Sequence, residues 1–177
     1  AKVEDQHIVE EEEILISTDP HHSATSVVFY TQKASATEME STLYYYQDEK
    51  LKSKVFKERI STVVPLTNYI VVNTRSASYV IDIKKDTVKE IVDLNMKVYQ
   101  GVQMKGDKFI YYNEDGNAYI MEIMESGIEL SKVTGMKSGF LPRFIVDKHG
   151  NVIAGGYRVN DEATQMQTVE LYYLAND

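Results

Sequence analysis

Cysteine is absent from these 177 residues, and so is tryptophan. The first absence excludes disulfides, thiolate nucleophiles and cysteine-ligated zinc. It leaves the compartment open. Only three prolines and nine glycines are present, all near expected turns or strand ends. No stretch approaches the roughly 18 apolar residues of a membrane-spanning helix, and no secretory leader pattern is visible. The chain opens at Ala1 rather than Met, which suggests processing or trimming. Basic residues number 19 against 27 acidic ones, a formal net charge of −8. Such a surface repels phosphate backbones at long range, so neither nucleic acid nor membrane insertion is expected.

What is present is an ordinary globular composition, 43% hydrophobic and 26% charged, with 13 tyrosines. Tyrosine suits strands and contact surfaces. Apolar residues alternate at period two: Tyr79, Ile81 and Ile83 share one strand face, and Tyr119, Met121 and Ile123 share another. These two segments are copies. Tyr69-Ile70-Val71-Val72-Asn73 aligns with Phe109-Ile110-Tyr111-Tyr112-Asn113 at an offset of 40 residues, and Tyr79-Val80-Ile81-Asp82-Ile83 aligns with Tyr119-Ile120-Met121-Glu122-Ile123 at the same offset. Asp115-Gly116-Asn117 and His149-Gly150-Asn151 supply tight turns between such runs.

Short strands repeating every ~40 to 45 residues are the signature of propeller blades. The expected fold is therefore all-β: a propeller-like array of about four blades, either closed or a fragment of a larger ring. One β-repeat domain spans 1–177, in units near 8–58, 60–94, 98–134 and 140–174. The second unit reads as strands at 60–64, 69–73, 79–84 and 88–94, and the third as 98–104, 108–113, 118–124 and 128–133. A looser fourth unit reads as 144–147, 152–158 and 168–174, with a long loop at 160–167. The first offers 27–31, 42–46 and 51–57. A strand at 8–17 either closes the ring beside 168–174 or opens the first unit, and closure is slightly favoured.

At Phe144-Ile145-Val146-Asp147-Lys148-His149-Gly150-Asn151-Val152-Ile153 the chain resembles NHL-like and lactonase-like propellers, and Phe109–Ile123 resembles the hairpins of bacterial propeller repeats. The likeness covers about 120 residues and consists of turn grammar. The Trp-Asp pair of WD repeats is missing, and the kelch-like double glycine occurs once, at Gly155-Gly156. These families include enzymes, binding toroids and scaffolds, so the fold alone assigns no activity.

No nucleophile elbow, phosphate loop or zinc-protease spacing is present, and no residue is singled out as catalytic. Asp19-Pro20-His21-His22 carries metal-ligand residue types, but adjacent histidines do not converge on one ion, so no metal or cofactor is expected. Glu10–Glu13 and the alternating Lys50, Lys52 and Lys54 read as solvated faces or guards of an open sheet edge. In Tyr44-Tyr45-Tyr46, Tyr111-Tyr112 and Tyr172-Tyr173, one ring of each neighbouring pair packs and the next faces away.

The four arginines, Arg59, Arg75, Arg143 and Arg158, fall at fourth-to-first or second-to-third strand junctions, which share one face of a propeller. Gathered there they form a ligand-binding site for carboxylates or other anions. The expected function is thus a non-catalytic binding module, bacterial and extracellular or on the cell surface. It engages a protein partner or an acidic small ligand through one loop face. Two alternatives stand beside it: part of a lactonase-like propeller hydrolase with a channel carboxylate or calcium site, and a subunit whose open sheet edge pairs with another chain.

Overall fold

The computed structural model describes residues 13–17, 28–34, 39–91, 98–113, 115–136, 143–161 and 166–176. Every regular element among them is a β-strand. Sheet I holds β1 (Glu13–Ser17), β2 (Val28–Ala34), β3 (Met39–Gln47) and β4 (Lys50–Phe56) in that order. Sheet II holds β5 (Ile60–Pro65), β6 (Tyr69–Thr74), β7 (Ser78–Asp82) and β8 (Thr87–Glu90). Sheet III follows with β9 (Val98–Lys105), β10 (Lys108–Asn113), β11 (Ala118–Met124) and β12 (Gly127–Lys132). Sheet IV has β13 (Arg143–Val146), β14 (Val152–Asp161) and β15 (Met166–Leu174) among the described residues. Each sheet is an antiparallel meander.

Alternating side chains bury both faces of the middle sheets. Ile70, Val72, Ile81 and Ile83 pack on Val28, Tyr30, Leu43, Tyr45 and Phe56 of sheet I. The opposite face of sheet II, with Val64, Val71 and Val80, packs on Phe109, Tyr111, Met121 and Ile123 of sheet III. Met104 and Ile110 then meet Val152, Phe144, Val146 and Leu174 of sheet IV. Two of the tyrosine pairs depart from expectation for this reason. Tyr44 and Tyr45 are both buried, as are Tyr111 and Tyr112, because an outward-facing ring in an inner strand still lies under cover. In Tyr45-Tyr46 and in Tyr172-Tyr173 the second ring does face away, and both Tyr46 and Tyr173 are exposed.

Like ends of the sheets lie together. The Asn68 amide and side chain both donate to the Asp107 carboxylate, joining the β5–β6 turn to the β9–β10 turn. The β13–β14 turn at Gly150 lies against Lys105 of the same neighbourhood. The Gln47 side chain donates to the Lys84 carbonyl, joining the β3–β4 and β7–β8 turns.

Four readings of the sequence need correction. The amino-terminal strand does not close the ring beside 168–174: β1 pairs with β2, with Leu15 opposite Thr31, and opens sheet I. The long loop at 160–167 shrinks, because β14 runs to Asp161 and β15 starts at Met166. Lys52 and Lys54 do lie on β4, the edge strand of sheet I, but they are not simply solvated guards. They reach across to the Asp86 carboxylate of sheet II, Lys54 at 2.8 Å and Lys52 at 3.7 Å. Finally, the repeat slips by one residue in its second strand. The residues that face the preceding sheet are Ile70 and Val72 in sheet II but Phe109 and Tyr111 in sheet III. The third sheet's hairpin is longer, closed from Asn113 N–H to Asn117 C=O where the second sheet's runs from Thr74 N–H to Ala77 C=O. A one-residue change in a turn moves a strand's side chains to the other face.

Candidate functional site

A meander brings the start of its first strand and its second-to-third hairpin to the same end of the sheet. In sheet II that end carries Arg59, just before β5, and Arg75, in the β6–β7 turn; both are exposed. Glu58 holds the two loops together. Its carboxylate accepts hydrogen bonds from the Ser76 hydroxyl at 2.5 Å and the Ser76 amide at 3.2 Å. These bonds, with a contribution from Thr74 and the Arg75 charge, hold the Glu58 carboxyl below its ordinary value. Lys57 beside them pairs with Glu40 at 2.6 Å. Arg59 also acts on the Tyr30 hydroxyl, favouring its ionised form, but burial outweighs it and the phenol is pushed up.

Sheet IV places its two arginines at the matching end. Arg143 begins β13 opposite Gly155 of β14 and is exposed. Arg158 lies three residues further along β14, opposite Thr168, and its side chain lies outside what the structure describes. Arg59 and Arg75 thus share one end of sheet II, and Arg143 and Arg158 lie toward the matching end of sheet IV on neighbouring strands. Asp19, His21, His22 and Glu10–Glu12 lie outside the described residues. Among the described residues no group of three or more His, Cys, Asp or Glu side chains is placed to hold a metal ion. No described helix is long and apolar enough to cross a membrane.

Two features escaped the sequence. Asp86, at φ 54° in the β7–β8 turn, accepts from the Tyr45 hydroxyl and pairs with Lys54 and Lys52. Those partners hold its carboxyl down, the Lys54 bond first and Tyr45 second. Nothing in Lys84-Lys85-Asp86 marks it beyond a turn-prone residue that tolerates positive φ. The second feature is an open groove of about 620 Å³ between the outer strands of sheets II and III. Its floor is Tyr69, Val80, Ile91, Ile123, Ile128 and Leu130. Lys85 spans its mouth, 3.6 Å from Asp82 and 4.0 Å from Glu125.

No protein-family model matches the chain. No curated protein sequence matches it either. Its shape does find counterparts. The crystal structure of HIRA(644-1017) superposes with a TM-score of 0.54 at 11% identity, covering 91% of this chain and 56% of that one. The crystal structure of human WBSCR16 gives a TM-score of 0.41 at 11% identity, covering 76% of this chain and 48% of that one. The chain spans about half the length of both. With its four antiparallel sheets and the first of these likenesses, the fold is all-β and propeller-like. At 11% identity the likeness concerns fold alone.

Proposed function

We propose that this chain is a non-catalytic interaction module that recognises an acidic protein segment or acidic small ligand at its arginine rim. Arg59 and Arg75 form the core of the rim, and Arg143 and Arg158 extend it at the matching end of sheet IV. The observation that carries the reading is the pair of Glu58–Ser76 hydrogen bonds, which fixes the two arginine-bearing loops side by side. On a protein of net charge −8, a local cluster of guanidiniums attracts anions where the mean field repels them. Guanidinium suits carboxylates because its planar fork donates in parallel. A bacterial, extracytoplasmic setting is part of the proposal and rests on the likeness of the turns to bacterial propeller repeats.

The test is fluorescence anisotropy with a labelled glutamate-rich peptide, at low salt and at about 0.5 M salt, where screening falls to a few ångströms. Binding is expected to weaken with salt. Arg59→Gln and Arg75→Gln should each weaken it by up to about fivefold, the reach of an exposed charge. Binding that ignores both salt and the substitutions refutes the rim. Tight calcium binding by calorimetry would point instead to the hydrolase alternative.

A further inference from the structure

Sheet IV is apolar on both faces, and one of those faces meets nothing described. Ile145, Ile153 and Tyr173 stand in one row across β13, β14 and β15, in the pairs Ile145–Ile153 and Ile153–Tyr173. They are 70%, 46% and 68% exposed. The next row is Arg143, Gly155 and Leu171, with Leu171 71% exposed and its side chain lying over Gly155. The inner strands of sheets II and III bury both their faces against neighbouring sheets. On the outer face of sheet I, the inner-strand residues Thr31 and Tyr44 are already buried, and apolar exposure among the described residues is confined to Tyr46 and the edge-strand Val55.

We infer that the outer face of sheet IV is a contact between two copies of this chain, sheet IV stacking on sheet IV about a two-fold axis. Three observations favour a second copy. What covers an apolar sheet face elsewhere in this molecule is another sheet of the same repeat. Among the described residues this is the blade face with the most exposed apolar rows, and a second copy offers the same surface, as an isologous interface requires. Within the strands the described patch bears no carboxylate: its charged member is Arg143. Two chains of net charge −8 approach there without acid meeting acid. The described patch is small, three strands by about five residues or roughly 250 Å². That is well below the ~800 Å² per partner of a standard stable interface. The pairing is therefore weak and concentration-dependent.

Sedimentation velocity of the full chain from about 5 μM to about 500 μM tests it, a span that brackets dissociation constants from micromolar towards millimolar. The expected result is a monomer shifting toward dimer with concentration, and added salt should not weaken it, because salt screens the repulsion between two chains of net charge −8. Persistence in salt separates this contact from any association through the arginine rim, which salt weakens. Leu171→Glu should leave a folded monomer throughout, because Leu171 is mostly exposed, and Ile153→Lys should do the same. Wild-type protein that stays monomeric over the whole range overturns the inference, as does dimerisation that persists in folded Leu171→Glu.

Discussion

Tyr45 in β3 donates its phenolic hydrogen to the Asp86 carboxylate, 41 residues away in the turn between β7 and β8. The ring is buried while the carboxylate lies at the surface between two lysines. One phenol therefore joins the core between sheets I and II to a charged cluster above it. Tyr45→Phe keeps the packing and removes the bond. It should cost about 1.5 to 3 kcal/mol, the range for hydrogen bonds to charged groups. Urea unfolding of the two proteins would measure the loss, and equal stabilities would show the bond to be neutral.

Acid should weaken the fold. Asp86 is held down by Lys54 and Tyr45, Glu58 by Ser76, and Asp115 by Tyr119. Each has a folded value below its ordinary one, 3.8 for the aspartates and 4.5 for the glutamate. Their contribution is complete above those ordinary values and is lost as pH falls through the lower folded ones. Melting temperature should therefore be insensitive to these groups from pH 7 to 5 and fall below about 4. Asp86→Asn should flatten part of that fall.

Ile81 and Met121 occupy equivalent third strands, and both are fully buried. They belong to different clusters, Ile81 against sheet I and Met121 against sheet II. Truncating either to alanine should cost about 2 to 5 kcal/mol. The double variant should lose close to the sum if the two sites act independently. A chemical denaturation series on the three variants would check both statements.

Gly150 sits at φ +86°. An added Cβ would come within 2.6 Å of the Asn176 side-chain nitrogen and 3.1 Å of the Lys105 Cβ. Asn176 itself closes the turn, its amide donating to Asn151 and its side chain to the His149 carbonyl. Gly150→Ala should therefore destabilise by more than about 1 kcal/mol, since both backbone and space oppose it. Gly127, also at positive φ but in open space, should lose less on the same change. Thermal melts of the two variants would rank them.

Glu58→Gln should leave stability nearly unchanged, because exposed polar ties contribute about 0 to 1 kcal/mol. It should loosen the Arg75 turn, and amide exchange at Ser76 should accelerate. An unchanged exchange rate would mean the turn holds its shape without Glu58.

Much of the strand map was readable because meander pairing is local. The expected limits 108–113 and 118–124 coincide with β10 and β11, for alternation and the Asp115-Gly116-Asn117 turn are both written within a few residues. The slip between Ile70 and Phe109 was not readable, because β6 and β10 are apolar on both faces and period two cannot say which face looks where. The partner of β1 was hidden for a related reason: several edges were open to an alternating strand. Lys52 and Lys54 showed a shared face in their spacing, but not the carboxylate of another sheet waiting on it. At the rim, the arginines announced themselves by scarcity, whereas the Glu58–Ser76 bonds that position two of them join residues 18 apart and leave no local trace. The outer face of sheet IV reads like any covered face, since Ile145, Ile153, Leu171 and Tyr173 alternate just as buried residues do.

Within each described sheet, strands pair only with their neighbours in the sequence. That simple order has a kinetic meaning. Every ladder can grow from the hairpin that precedes it, so no strand has to wait for a distant segment before its backbone is paired. Short-range closure lowers the contact order of an all-β chain and should place its folding rate above that of a crossed-over sandwich of equal length. The slow step then moves to the stacking of finished sheets, and core substitutions between sheets, such as Ile81→Ala, should slow folding in proportion to the inter-sheet contacts formed in that step's transition state.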